Sequence, residues 1–371
     1  LCEISLVILA AGDSTRMQMS AKKQWLRVGH DPLWKFVADR LKTKYKFSKT
    51  IVVANSDELE YMKSYDDSFF YAKGGKSRQE SLKNALCFID SMYVLVHDVA
   101  RAEISETLLN SIIDKALEFD CVSPYIGVYD TTYLNDKIIN RDEIKLIQTP
   151  QLSKTSLLKK ALLKDEIFTD DSMAVASVGG KLGFVKGEST ALKITTKDDL
   201  KKLNLAPASS DIFVGNGFDV HKFQAGDGLM LCGIKVPCEY EFIAHSDGDV
   251  ALHALTDAIL GACGLGDIGE FYPDTDAKFK GANSADLLKD ALKRVKNFGY
   301  EVVNADITIM AQAPKLGTYK KEMAKNVAQI LGINRVNVKA TTTEKLGFVG
   351  RSEGVAVMAT ASLKYLDWKN L

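Results

Sequence analysis

Four β-rich apolar runs, ISLVILA, TIVVAN, MYVLVHD and CVSPYIG, recur through the first half of the chain. Between them lie helical patterns such as DPLWKFVADRLKTK and ISETLLNSIIDKALEF. A strand followed by a helix, several times over, predicts a mostly parallel, Rossmann-like α/β sheet with helices on both faces. Ligands of such sheets sit at the carboxyl ends of the strands. The pattern closes with TKDDLKKLN, a helix opening from a Thr cap, followed by the polar, small-residue stretch LAPASSD. We therefore expect a boundary near residues 206–211 and domains 1–208 and 209–371.

The second half uses another vocabulary. It opens with the strand DIFVGNGFDVHKF, carries two long helices, DVALHALTDAILGAC and NSADLLKDALKRVKNFG, and mixes in the strands VVNADITIMAQ, VNVKATTT and GVAVMATASLKYL. This less regular order predicts an α+β domain. At 371 residues, two domains are the default in any case. The 48 basic and 48 acidic residues balance, which leaves no electrostatic reason to expect nucleic acid or an anionic membrane as partner. No run is long enough for a membrane span, and the opening LCEISLVILAAG reads as strand and turn rather than a leader. Cys2, Cys87, Cys121, Cys232, Cys238 and Cys263 form no C-x-x-C pair and read as reduced thiols without chemistry. A cytoplasmic, bacterial enzyme is the expectation.

In the first half, LVILAAGDSTRM ends a strand in a small-residue turn, Ala10, Ala11 and Gly12, and then supplies Arg16 and Lys23. A small turn with two cations suits a phosphate. Neither a P-loop nor a G-x-G-x-x-G fingerprint is present. GGKSRQES, from Gly74 to Ser81, is a second Gly-led anion loop. VHDVAR places Asp98 at the end of a buried strand, where a carboxylate is costly unless it meets a metal, a cation or a ligand. TALKITTKDDL puts Lys193 in an extended run before a cap.

Taken in order, LAAGDSTRM, KKQ, GG-x-x-R-x-x-S, HDVAR, QTPQ, TDD and LKIT-x-x-DDL resemble the methylerythritol-phosphate cytidylyltransferase family over nearly the whole first half. The resemblance implies transfer of cytidylyl from CTP to methylerythritol 4-phosphate, with Mg²⁺ and release of pyrophosphate. It implies that Arg16 and Lys23 stabilise the reacting α-phosphate, a reaction governed by positioning and charge. Ala10, Ala11, Gly12, Lys23, Gly75, Ser81, Asp98 and Arg101 would line the CTP pocket. Thr131, Arg141, Thr149 and Lys193 would hold the sugar phosphate, Arg141 reaching across a dimer interface. Two positions depart from the family, which usually has Gly at Ser14 and Pro at Ala102.

In the second half, AHSDGDVALHALTDAILG holds two of the chain's five histidines. Asp249, His253 and Asp257 stand at i, i+4 and i+8, one helical stripe, which for a lone helix is most simply a solvated face. GFDVHKF changes that reading, because Asp219 and His221 are two apart on a strand and share a face. With His253 they form an Asp-His-His set suited to a tetrahedral Zn²⁺, or to Mn²⁺ or Co²⁺, with one position open. Asp257 is placed to fix the ring of His253, and Glu344 to carry a harder ion such as Mg²⁺.

FDVH, AHSDGDVALHALTDA, LGDIG, PDTD, AQAPK and KATTTEKLGF-x-GR-x-EG resemble methylerythritol cyclodiphosphate synthases over the whole second half. The resemblance implies ring closure of a 2-phosphorylated CDP-methylerythritol to the 2,4-cyclodiphosphate with loss of CMP. His245, Ser246 and Thr342 would align or polarise phosphates, and Asp267, Gly269 and Asp274 would hold the sugar. Ala311, Pro314, Lys315, Leu316, Thr341, Thr342, Thr343, Glu344 and Arg351 would surround the CDP moiety together with Asp219 and His221. Tyr272 stands where Phe is frequent. Phe348 would lie near the interface of a trimer; a dimeric first half joined to a trimeric second half suggests a hexamer. Nothing resembles the kinase that acts between the two steps. The rivals are a nucleotidyltransferase fused to a metal-dependent phosphohydrolase, and a scaffold that binds CDP sugars without chemistry.

Overall fold

Ile4–Leu9 is buried at every residue but its last, as a strand must be when helices cover both faces of its sheet. The computed structural model of the chain describes residues 3–244, 246–273, 275–279 and 281–371. They form two units, one running to Pro207 and taking in Asp367–Leu371, the other spanning Ala208–Leu366. The tail 367–371, allotted to the second domain from sequence, thus clusters with the first unit, where the Trp368 indole donates to the Arg27 carbonyl at 2.6 Å.

The first unit is built on an eight-stranded sheet. Ile4–Leu9 pairs in parallel with Thr50–Ala54 on one side and Tyr93–Asp98 on the other, and Phe70–Lys73 extends the sheet beyond Thr50–Ala54. The chain therefore builds outward in one direction and then returns past its first strand, leaving a switch point between the ends of Ile4–Leu9 and Tyr93–Asp98. Leu9 is in register with Asp98 there, so the loops that follow face each other. The sheet is mixed: Gln151–Lys154 runs antiparallel between Tyr93–Asp98 and Cys121–Ile126, and Leu146–Ile147 is antiparallel to the latter. After Cys121–Ile126 the chain passes through the hairpin Thr132–Leu134 and Lys137–Ile139 and comes straight back, and a return without a helical crossover reverses strand direction. Val7, Val53, Leu82, Val94 and Val96 fill the core under helices Arg78–Leu86 and Thr155–Ala161.

In the second unit, Ile212–Ala225 pairs antiparallel with Gly354–Tyr365, which pairs antiparallel with Tyr300–Met310; Val336–Thr341 lies parallel to the last. Alternate residues of Ile212–Ala225 face inward, and Gly215, Gly217, Asp219 and His221 belong to that face. Helix Val250–Ala262 packs on it so closely that a Cβ at Gly215 would lie 2.0 Å from the Ala258 carbonyl oxygen, and one at Gly217 1.9 Å from that of Ala254. Two missing side chains therefore set the height of His253 above Asp219 and His221. The opposite face of the strand is exposed and apolar, with Val214 at 60% and Phe218 at 57% exposure beside Met358 at 51%.

Gly217→Ala should cost on the order of 3 kcal/mol or prevent docking of the helix, because backbone rather than a flexible side chain must move. Gly261→Ala, in the same helix with open space around it, should instead stabilise by about 1 kcal/mol through helix propensity. Hydrogen-exchange protection of peptides from 250–262 reads both, and unchanged protection in Gly217→Ala would refute the close approach.

Candidate active sites

The switch point of the first unit opens into a cleft of about 730 Å³. Ala11, Gly12, Arg16, Lys23, Gly75, Ser81, Asp98 and Lys193 line it, as do Lys76, Ser77 and Arg78. Ser77 caps helix Arg78–Leu86 by accepting from the Glu80 N–H at 3.0 Å, so the cleft also receives the positive end of that helix. Gly75 N–H donates to Ser81 Oγ at 3.0 Å, which folds the glycine loop back on its own helix.

Asp98 is met by cations. Lys193 Nζ lies 2.6 Å from Oδ2 and Arg78 Nε 3.3 Å from Oδ1, while Arg78 Nη1 reaches the buried Asp171 at 2.8 Å. Burial alone would raise the pKa of Asp98, but Arg78 and Lys193 outweigh it and hold the carboxyl well below the usual range. Lys23 is in the opposite situation. Desolvation, then repulsion from Lys193 and Arg16, lowers its pKa, and its ammonium donates to the Ile194 carbonyl at 3.2 Å. The crowded cations Arg16, Lys23 and Lys193 are what a polyphosphate relieves.

Ser14 adopts φ 55°, the left-handed region that favours glycine, and its hydroxyl accepts the Lys23 N–H at 3.0 Å. Beneath the loop, Gln24 Nε2 donates to the Gly12 carbonyl and to the buried Glu58, each at 3.0 Å; Glu58 also takes the Trp25 indole and the Lys22 ammonium.

Not every expected residue reaches the cleft. Ala10 is buried below it and Arg101 is absent from its lining; the guanidinium of Arg101 donates to the Ala191 carbonyl at 2.6 Å. Thr131 and Arg141 are exposed, Arg141 donating to the Tyr129 carbonyl, and Ala102 is buried. Thr149 is buried behind Asp98, whose N–H it accepts at 3.2 Å. Arg78 and Asp171 were not singled out from sequence, although both stand inside quoted motifs, GG-x-x-R-x-x-S and TDD.

In the second unit, Asp219, His221 and His253 offer ligand atoms all within 4.8 Å of one another, the only such group of three or more His, Cys, Asp or Glu found among the described residues. Asp219 Oδ2 lies 3.2 Å from His253 Nδ1 and 3.4 Å from His221 Nδ1. A tetrahedron with bonds of about 2.05 Å has edges of about 3.3 Å, so the set fits a zinc-sized ion.

The helix stripe divides into separate tasks. Asp249, fully buried, caps the helix through the Leu252 N–H and accepts the Cys232 and Gly233 N–H groups at 2.9 and 2.5 Å, tying hairpin Leu229–Leu231 and Ile234–Val236 to it. Asp257 accepts the Ile268 N–H at 2.7 Å, and the ring of His253 is instead contacted by Ser284 and Ser246. Asp267 caps helix Ile268–Phe271, beside the exposed Gly269. The Tyr272 hydroxyl donates to Asp290 at 2.8 Å, which satisfies the oxygen that a Phe would lack.

Parallel pairing of Tyr300–Met310 with Val336–Thr341 sets the two following loops side by side, and the Ala311 N–H donates to the Thr341 carbonyl at 3.0 Å. This gathers Ala311, cis Pro314, Lys315 and Leu316 next to Thr341, Thr342, Thr343 and Glu344. Glu344 accepts from the Thr342 hydroxyl at 2.9 Å and joins no metal-ligand group among the described residues. Arg351 pairs with Glu353, and Phe348 is 38% exposed. Three strand spacings, about 14 Å, separate the strand of His221 from that of Thr341. His245 and Asp274 lie outside the described residues.

None of the described cysteines is in a disulfide, and burial pushes the Cys121 thiol up to about 12. No described helix is long and apolar enough to cross a membrane.

A cation-lined cleft at the switch point of a mixed α/β sheet defines a nucleotide-binding transferase domain, and the Asp-His-His set defines a second, metal-ligating α+β domain. A family model for 2-C-methyl-D-erythritol 4-phosphate cytidylyltransferase matches residues 4–206, and the YgbB family model matches 212–364. A bifunctional enzyme IspD/IspF of Campylobacter hominis is 57% identical over 99% of this chain and 99% of its own length; that of Campylobacter fetus is 52% identical over 100% and 99%. The solved structure of the bifunctional IspDF from Campylobacter jejuni is similar with a TM-score of 0.94, at 52% identity and 99% coverage of each chain. The chain belongs to the bifunctional IspD/IspF family of isoprenoid-pathway enzymes and carries both a cytidylyltransferase domain and a cyclodiphosphate synthase domain.

The buried His97 offers a measurable consequence. Its Nε2 lies 2.8 Å from the Arg101 carbonyl and its Nδ1 3.3 Å from Thr149 Oγ1, and burial lowers its pKa from 6.5 to about 4. The unfolded chain takes up this proton below about pH 6.5 and the folded chain only near 4, so the first unit loses stability as pH falls through that window, by on the order of 3 kcal/mol. Trp25, Trp34 and Trp368, all the tryptophans, lie in this unit, so urea midpoints by tryptophan fluorescence report it selectively. His97→Asn should flatten the slope between pH 6.5 and 4.5; an equal slope would assign the loss to carboxylates.

Proposed function

We propose that the first unit joins the 4-phosphate oxygen of methylerythritol 4-phosphate to the α-phosphorus of CTP, breaking the α–β phosphoanhydride and releasing pyrophosphate. The observation that carries this reading is the convergence of Arg16, Lys23 and Lys193 on one cleft beside a helix N-terminus. Arg16 and Lys23 stabilise the charge that grows on the α-phosphate, while Gly12, Gly75 and Ser81 let the nucleotide approach backbone. Mg²⁺ arrives with the triphosphate. Asp98, neutralised by Arg78 and Lys193, holds the cations in place and offers its carboxylate to the ribose. Thr131, Arg141, Thr149 and Lys193 are assigned to the sugar phosphate, Arg141 serving a neighbouring copy.

For the second unit we propose attack of the 2-phosphate oxygen of CDP-methylerythritol 2-phosphate on the β-phosphorus, breaking the α–β anhydride and releasing CMP. Asp219, His221 and His253 would hold Zn²⁺, which when bound supplies Lewis-acid polarisation of the diphosphate. Ser246, His245 and Thr342 orient phosphates, Asp267, Gly269 and Asp274 the sugar, and the loops at Ala311–Leu316 and Thr341–Glu344 the CDP, with Mg²⁺ at Glu344. The spacing of about 14 Å between those loops and the strand of His221 supports a site shared between copies. The exposed apolar face of Val214, Phe218 and Met358 supports a trimer, and exposed Tyr133, Leu134 and Ile138 on the hairpin arm support dimer contacts of the first unit. We place the enzyme in the bacterial cytoplasm, consistent with described cysteines that stand outside any disulfide.

³¹P NMR tests both chemistries in two reactions. With CTP, Mg²⁺ and methylerythritol 4-phosphate, the protein should yield pyrophosphate, and Lys23→Ala should slow this about 100- to 1,000-fold. With the 2-phosphorylated CDP sugar, it should yield a cyclic diphosphate and CMP; His253→Gln should abolish that while cytidylyl transfer continues. Inorganic phosphate in place of the cyclic product would make the second unit a phosphohydrolase. Light scattering should return a hexamer, and a monomer at working concentration would remove the shared-site reading.

A further inference from the structure

His253 is gripped from behind by a two-residue chain. Its Nδ1 faces Asp219 Oδ2 at 3.2 Å, while Nε2 lies 2.9 Å from Ser284 Oγ and 3.3 Å from Ser246 Oγ. Ser284 is 1% exposed and opens helix Ser284–Asn297. Its hydroxyl lies 2.5 Å from Asp247 Oδ1, and its backbone N–H 3.2 Å from each oxygen of the same carboxylate. Asp247 is itself held, its N–H donating to the Ala282 carbonyl at 3.1 Å.

A carboxylate accepts and does not donate, so the single hydroxyl proton of Ser284 goes to Asp247. Ser284 then turns only lone pairs toward His253. If Nε2 were unprotonated, two lone pairs would oppose each other at 2.9 Å. The ring must carry its proton on Nε2, which presents the Nδ1 lone pair toward Asp219 and His221. We infer that Ser284 and Asp247 are positioning residues that lock His253 in the Nε2–H tautomer and so assemble an all-acceptor pocket for a divalent cation. The inference rests on the reading of Asp219, His221 and His253 as cation ligands. Ser246 contributes less because it is farther from the ring, at 3.3 Å against 2.9 Å for Ser284; with Nε2 protonated it is a weaker second acceptor.

The test is zinc affinity of the full-length, metal-stripped protein, measured by competition with a chromophoric chelator, with the visible spectrum of the Co²⁺-loaded protein as a geometric readout. Ser284→Ala should weaken zinc binding about 10- to 100-fold and alter the Co²⁺ bands, whereas Ser284→Thr, which keeps the hydroxyl, should restore both. Asp247→Ala should weaken binding at least as much, because nothing then accepts the serine proton, which turns to Nε2 and favours the opposite tautomer. Asp247→Ala also serves if Ser284→Ala fails to fold. Zinc affinity of Ser284→Ala within about twofold of wild type, even with a lower apo thermal midpoint, would reduce the serine to a structural role and overturn the relay. Failure of the wild type to bind zinc or Co²⁺ at all would overturn the ligand reading itself.

Discussion

Arg78 stands between two buried carboxylates, and the first active site depends on that arrangement. One guanidinium ties helix Arg78–Leu86 to the end of strand Tyr93–Asp98 and to helix Asp171–Ser177. Without it, Asp98 and Asp171 would be buried charges lacking their shared partner, a loss that typically costs several kcal/mol. With it, Asp98 stays ionised and retains Lys193, so the cation-rich cleft has a fixed negative anchor at its base. Lys23, desolvated and repelled by Lys193 and Arg16, has its pKa lowered.

Both units fix an imidazole, buried in His97 and part-buried in His253, with ordered hydrogen bonds. In the first, the chain runs from the Asp98 N–H through Thr149 and His97 to the Arg101 carbonyl, and the neutral ring braces the loop beside the cleft. In the second, Asp247 and Ser284 orient His253. The chemical purposes differ: His97 is a strut, whereas His253 has a nitrogen directed at Asp219. Hydrogen-bond direction, set by what each partner is able to donate, decides which of the two roles the ring takes.

Much of this was readable along the chain because the signals are local. Strand and helix alternation, the small-residue turn at Ala10 to Gly12 and the two-residue spacing of Asp219 and His221 each follow from backbone periodicity. Motif likeness added the two family resemblances. Asp249, His253 and Asp257 show where local reading stops: equal spacing put them on one stripe, yet one is a buried cap, one a ligand candidate and one a loop clamp. Periodicity reports direction from the helix axis, not what lies in that direction.

The sequence by itself determined the two fold classes and singled out the candidate residues for phosphate and metal. Tertiary structure alone decided the partners. Arg78 meets Asp171 across 93 positions, His253 meets Ser284 across 31, and the Trp368 indole reaches Arg27 across 341. Such contacts depend on crossover and packing geometry, down to the missing Cβ atoms of Gly215 and Gly217, and no spacing along the chain encodes them. Short-range periodicity fixes which face a side chain occupies, and only the packed fold fixes what waits opposite it.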